Sequence, residues 1–186
     1  MRIPENQTYT RVAIALHWVI ALLIALNFVA VWVADGMPKA EKMQIMANHK
    51  AFGITILILS VLRILWRIAH RPPPLPASLA PWEAVLARSV HSLFYFLMIG
   101  MPLTGWAMVS TGGKPVSVFG LFDMPALPVG ADKATGGTFH EVHEIFGTAF
   151  LVLIGLHVLG ALKHQFLDHD GTLARMIPLL RQRRGL

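Results

Sequence analysis

Nine histidines and no cysteine set the metal-binding repertoire of this 186-residue chain. Without a thiol there is no disulfide, thiolate nucleophile, Cys-ligated zinc, iron–sulfur cluster or thioether-attached haem. Two of the histidines bracket a mostly apolar run, HEIFGTAFLVLIGLH, from His143 to His157. Fourteen residues of helix rise about 21 Å and complete nearly four turns, which leaves the two imidazoles about 40° apart on one face. The same interval separates His49 from Arg63, and Arg67 follows on that face eighteen residues after His49. Imidazoles so spaced can ligate metal or hydrogen-bond to a neighbouring helix. Which they do depends on the elements that carry them.

Those elements are read from hydropathy. The chain is 55% hydrophobic and 14% charged, against about 25% charged in a soluble domain. Four runs reach the roughly 20 apolar residues needed to span a bilayer: about 12–33, 48–69, 89–110 and 143–166. They predict an all-α, integral membrane four-helix bundle, a single domain over 1–186 with a basic tail at 167–186. The first run is too long for a typical signal-peptide core and lacks a small-residue cleavage site after it, so it reads as a retained helix. Asp35, Gly36 and Pro38 close the first span, RPPPLP at 71–76 the second, and Gly112, Gly113 and Pro115 the third. Residues 111–138 carry seven glycines or prolines in their first twenty positions and read as a loop covering one mouth of the bundle.

Four spans put both termini on one side. Eleven Lys and Arg fall on that side: Arg2, Arg11, Arg63, Arg67, Arg71, Arg88, Lys163, Arg175, Arg181, Arg183 and Arg184. Five fall on the other: Lys39, Lys42, Lys50, Lys114 and Lys133. The positive-inside rule then places both termini in the cytoplasm. The net charge of +6 marks a membrane face and implies no nucleic-acid partner. The tail LARMIPLLRQRRGL reads either as a segment lying on the anionic inner leaflet or as a frayed basic end.

Depth now sorts the histidines. His49 and His143 fall at a similar outer level, and His17 and His157 at a similar inner level. Ionisable side chains inside a membrane are costly and are functional candidates by default. Catalytic zinc takes three protein ligands and an open position, so paired histidines serve it poorly. They suit the two axial positions of a haem, whose porphyrin supplies the equatorial nitrogens and whose apolar edge fills a helical bundle. Filled axial positions favour electron transfer over oxygen activation. Arg63 sits inside an apolar run level with His17 and His157, where it would pair with haem propionates; Arg67, nearer the interface, reads as snorkelling. His91 is a rival inner ligand, or a hydrogen bonder to a propionate or a quinone. His140, one turn before His143, reads as preceding the fourth helix, and His70, His164 and His169 as interfacial polar residues.

Four motifs, in order, resemble bacterial cytochrome b561, a family that shares its fold with the b-type cytochrome subunits of nickel–iron hydrogenases: RVAIALHWVIALLIALNF, NHKAFGITILILSVLRILWR, HSLFYFLMIGMPLTGW and HEVHEIFGTAFLVLIGLHVLGALKH. The resemblance covers roughly residues 8–180. It implies two haem b groups, one between His17 and His157 and one between His49 and His143, and so favours His143 over His140. It also implies a bacterial inner-membrane protein exchanging electrons with the quinone pool, ubiquinone being the partner, with superoxide among the outer donors. Five outer lysines face six outer acids, Asp35, Glu41, Asp123, Asp132, Glu141 and Glu144, so the outer surface as a whole does not steer an anion.

Three functions follow as expectations. The first is a di-haem carrier between an outer donor and quinone, hence an oxidoreductase or a pure electron carrier. The second is an anchor subunit relaying electrons for a separate dehydrogenase. The third is a histidine-based transporter, for which Asn27, Thr55, Ser60 and Thr104 make a sparse polar path with no mid-membrane acid. Membrane lipid surrounds the chain in all three, and the sequence leaves a homodimer open.

Overall fold

The computed structural model describes residues 8–76 and 79–182. Arg2, Arg183 and Arg184, counted above among the inner cations, lie outside them, as does the side chain of Arg181. Four long helices carry the architecture: α1 (Arg11–Asp35), α2 (Lys39–Ala69), α3 (Pro81–Ser110) and α4 (Lys133–Phe166). A hairpin of β1 (Val116–Val118) and β2 (Phe122–Met124) joins α3 to α4, and two short helices follow, α5 (Thr172–Met176) and α6 (Leu179–Gln182). All four long helices are long and apolar enough to cross a membrane. The fold is an all-α four-helix membrane bundle.

Local chemistry sets the helix ends. Thr10 caps α1, its hydroxyl oxygen accepting the Ala13 amide at 3.2 Å. Pro81 occupies the first turn of α3, where its missing N–H costs nothing, and Glu83 accepts the Ala80 amide at 3.0 Å. Asp132 caps α4 through the Thr135 amide at 2.8 Å. Hydrogen bonds from the Thr135 hydroxyl and amide hold the Asp132 carboxyl below its ordinary range.

Three helices begin earlier than hydropathy alone implies. α2 starts at Lys39 instead of 48, α3 at Pro81 instead of 89, and α4 at Lys133 instead of 143. The added turns carry charged residues, Lys39, Glu41 and Lys42 on α2, Glu83 and Arg88 on α3, and Lys133 and Glu141 on α4, and extend past the apolar runs. His140 therefore lies within α4, where it pairs with Glu144 at 3.6 Å, and does not precede the helix as expected. His49 and His143 likewise sit inside their helices.

The bundle is two hairpins, α1–α2 and α3–α4, joined along α2 and α3. Its apolar centre is Ile20, Ile56, Leu97, Met98, Phe150 and Leu153. Phe28 of α1 meets Phe150 of α4 across the seam, ring centres 6.3 Å apart. Large apolar side chains such as Leu22, Trp32, Leu65, Phe96 and Leu159 face outward, as a lipid-solvated surface requires.

The 111–138 segment is more ordered than a loop. Its strands pair antiparallel, Ser117 opposite Asp123. Val116 and Val118 pack on Ile54 of α2. The turn carries positive φ at both Phe119 (54°) and Gly120 (72°), the pattern of a hairpin turn that matches strand twist. Phenylalanine seldom adopts such a φ; its ring is held edge-on against Phe52 at 5.1 Å. Trp106 Nε1–H donates to the Pro125 carbonyl at 3.0 Å, and Leu127 N–H to Ser110 Oγ at 2.9 Å. The hairpin thus packs on α2 through Ile54 and Phe52, within about a turn and a half of His49.

At the opposite end the tail folds back. Trp18 Nε1–H donates to the Met176 carbonyl at 2.9 Å, and Arg175, a buried guanidinium, to the Pro74 carbonyl at 2.7 Å. This part of the tail is docked, not frayed.

Candidate functional site

Four histidines come together as two pairs across the seam between the hairpins. His17 of α1 and His157 of α4 have ring centres 6.2 Å apart. His49 of α2 and His143 of α4 have ring centres 6.1 Å apart. α4 supplies one ring to each pair, and the fourteen residues between them include the core residues Phe150 and Leu153. All four rings are half-buried.

These separations bear directly on a shared ligand. A metal–imidazole bond of about 2.0 Å plus about 1.2 Å from nitrogen to ring centre places two axial imidazoles about 6.4 Å apart, centre to centre. Both pairs match that spacing. Direct hydrogen bonding between rings would draw them closer.

The His49–His143 pair has a built surround. His143 Nδ1–H donates to the Met101 carbonyl at 2.9 Å, with Thr104 Oγ1 a second acceptor at 3.2 Å. Thr104 in turn donates its hydroxyl hydrogen to the same carbonyl at 2.8 Å. The proton is thereby fixed on Nδ1 and the lone pair left on Nε2, the arrangement that orients a metal-ligating histidine. Close approach of α3 makes this possible. A Cβ built on Gly105 would lie 3.0 Å from His143 Cε1, so any other residue would push the ring from this position. Across the pair, His49 Nδ1 is buried without a well-formed hydrogen bond, and the main-chain carbonyl of Asn27 is its nearby acceptor.

The His17–His157 pair has more company. His91 of α3 lies 5.6 Å from His157 by ring centres, edge-on, but it is exposed where His17 is half-buried. Its Nδ1–H donates to the Ala87 carbonyl at 2.7 Å. Phe94 packs on His157 at 5.3 Å. Arg63 reaches α1 one turn from His17, donating to the Ala13 carbonyl at 3.2 Å. Arg67 turns away and lies over the Tyr95 ring at 5.5 Å. The six residues singled out in the sequence thus divide into His49 and His143 at one level, and His17, His157, Arg63 and His91 at the other.

Met101, Thr104 and Gly105 line His143, a placement that the sequence alone does not reveal. The PLTGW motif was visible, but nothing in its composition says which helix it faces. A further cluster, His164, Asp168 and Asp170, brings ligand-type atoms within 4.8 Å of one another. Lys163 already sits on Asp168 at 2.7 Å and on Glu83 at 2.9 Å, so the cluster serves as an ion-pair network tying α4 to α3 and the tail. Burial of Asp170 works against its charge, but hydrogen bonds from Thr172 and the His164 ring outweigh this and hold its carboxyl below the ordinary value.

Comparison with known proteins fits this geometry. The family model for prokaryotic cytochrome b561 matches residues 8–179. Cytochrome b561 homolog 2 of Escherichia coli (strain K12) is 35% identical, over 94% of this chain and 92% of its own. The probable superoxide oxidase CybB of Yersinia pestis is 30% identical, over 93% and 97%, and cytochrome b562 of Cereibacter sphaeroides 26%, over 93% and 97%. The chain belongs to the prokaryotic cytochrome b561 family and is a bacterial multi-pass membrane cytochrome b that transfers electrons with haem.

Proposed function

We propose that residues 1–186 form one membrane unit carrying two haem b groups, which passes electrons between a donor on the outer side and the quinone pool. His17 and His157 would hold the inner haem, and His49 and His143 the outer. The observation that carries this is the pair of ring separations, 6.2 and 6.1 Å, at two levels of one helix. Held by two histidines each, the two haem groups would supply reversible one-electron transfer.

The chain's own residues do the rest. The Met101 carbonyl and Thr104 keep the His143 proton on Nδ1. Arg63, beside His17, offers a half-buried guanidinium to the carboxylates of the inner group. His91 stands at the inner rim, where it would hydrogen-bond a propionate or a quinone oxygen. Phe150 and Leu153 keep water from the space between the levels. The excess of Lys and Arg on the side of the termini supports a cytoplasmic placement for both ends, in the inner membrane.

Ubiquinone is the acceptor in this reading. Superoxide is the outer donor it favours, supported by the name of the Yersinia pestis relative. The near-neutral outer surface confines any attraction of the anion to a local group of lysines.

Haem stoichiometry and a redox titration of the purified chain test the proposal. Two haems per chain are expected. His49→Ala and His143→Ala should remove the same one, and His17→Ala and His157→Ala the other. A single haem per chain, or loss of the same haem from the His143 and His157 variants, refutes the two-level assignment.

A further inference from the structure

Arg63, Arg67 and Arg71 rise at four-residue intervals along the end of α2 and just beyond it. Four-residue spacing stacks Arg63 and Arg67 on one helix face, and Arg71 lies past the extended His70 that ends the helix. All three line one cavity, walled also by Tyr9, Thr10, Trp66, His70 and Tyr95. Its wall is fixed: Trp66 Nε1–H donates to Thr10 Oγ1 at 2.9 Å. Among the described residues no carboxylate lies within ion-pair distance of any of these three guanidinium groups.

A second depression adjoins the first. It is lined by Ile64, Ile68 and Pro72 and shares Arg67 and Tyr95 with the cavity. Ile68 is 75% exposed, so this groove faces outward on a membrane-spanning helix. Arg67 and Tyr95 therefore stand where a polar pocket meets an apolar channel on the lipid side.

That junction has the chemistry of a phospholipid. A guanidinium fork binds phosphate oxygens, and the Tyr95 ring holds the Arg67 fork in place at 5.5 Å. An apolar groove running from the same point takes an acyl chain. Two exposed cations without a carboxylate partner select a headgroup with net negative charge. Arg63 lies four residues deeper, about 6 Å along the axis, and is already turned toward α1.

We propose that Arg67 and Arg71, with Tyr95, bind the headgroup phosphate of an anionic phospholipid whose acyl chain lies along Ile64, Ile68 and Pro72. The lipid would bridge α2, α3 and the proline-rich segment between them. This site is separate from the haem ligands and does not depend on them.

The test uses the full haem-loaded chain in detergent, with dioleoylphosphatidylglycerol, dioleoylphosphatidylcholine or inorganic phosphate added. Native mass spectrometry reads the lipid bound, and absorbance reads the haem. Phosphatidylglycerol should be retained selectively by the parent chain. R67Q/R71Q should bind it at least roughly tenfold more weakly, since each basic group at a membrane surface contributes several-fold to anionic-lipid affinity. R67K/R71K should bind it more tightly than R67Q/R71Q and more weakly than the parent chain, because lysine supplies the charge without the fork. R71Q alone, altered outside any helix, should show an intermediate loss even if the double variant folds poorly. Haem content should not change in any of them. Equal retention of phosphatidylglycerol by R67Q/R71Q overturns the proposal. So does displacement by millimolar inorganic phosphate, which would show a simple anion site. Loss of a haem from R67Q/R71Q with lipid retained would instead assign these arginines to propionates.

Discussion

If the two-haem proposal holds, a single methyl group at Gly105 should cost the protein its outer haem, the one assigned to His49 and His143. A Cβ there would stand 3.0 Å from His143 Cε1, 3.2 Å from Nδ1 and 3.8 Å from Nε2. Non-bonded carbon atoms settle at about 3.5–4.0 Å, so the imidazole must retreat by about half an ångström. Doing so stretches its 2.9 Å hydrogen bond to the Met101 carbonyl and alters its 6.1 Å spacing from His49. Overpacking of this kind costs about 1–3 kcal/mol, or roughly 5- to 150-fold in retention of the outer group. The assay is the haem-to-protein ratio after purification, with a reduced-minus-oxidised spectrum and a redox titration. Gly105→Ala should hold one haem, the one that His157→Ala removes. Gly155→Ala is the control, because a Cβ there meets nothing within 4 Å; it should hold two. A Gly105→Ala protein with two haems and unaltered potentials would refute the idea that α3 approaches His143 so closely for this purpose.

Other consequences are as specific. Thr104→Val deletes an acceptor 3.2 Å from His143 Nδ1; the less polarised imidazole becomes a weaker donor, so the outer midpoint should rise by about 40 mV, taking about 1 kcal/mol for the bond, and an unchanged titration would count against that contact. His91→Ala should leave both haems in place, because the half-buried His17 faces His157 as ligand; loss of the inner haem would make His91 the ligand instead. The ring planes cross at 85° in the outer pair and 63° in the inner, so the outer ferric haem should give the more anisotropic low-spin resonance, checked by comparing His143→Ala with His157→Ala. The Asp170 carboxyl is held below its ordinary value, so its contribution to docking the tail is present above the unfolded carboxylate range and lost as pH falls through the lower folded value. Limited proteolysis after Lys163 should accelerate with acidification in the parent chain, and the pH dependence should flatten in Asp170→Asn.

Hydropathy located the four spans because an apolar run of bilayer length has few other uses. It missed the polar first turns of α2, α3 and α4 for the same reason. KAEKMQIMA and KATGGTFHE are ordinary helix in water and carry no membrane signal. The histidine pairs were legible because depth follows from position along a span and face follows from the helical repeat. Gly105 and Met101 were not, since their partner lies on another helix and one of them acts through its backbone. The hairpin was hidden because its left-handed turn falls on Phe119, a residue with no such preference, whose placement depends on the distant Phe52. The closeness of His91 to His157 depends on how α3 is rotated against α4, and α3's own pattern does not fix that angle.

The helix α4 contributes a ring to each pair, while α1 and α2 contribute to one pair apiece. In mechanical terms α4 is a torsion shaft with a fixture at each end. A turn of about 10° about its axis would sweep side chains at a radius of about 5–6 Å through about 1 Å, at both levels and in the same sense. Rotation of α1 or α2 would disturb one level and spare the other. Damage to this protein should therefore sort by helix, with lesions along α4 shifting both redox centres together and lesions on α1 or α2 separating them.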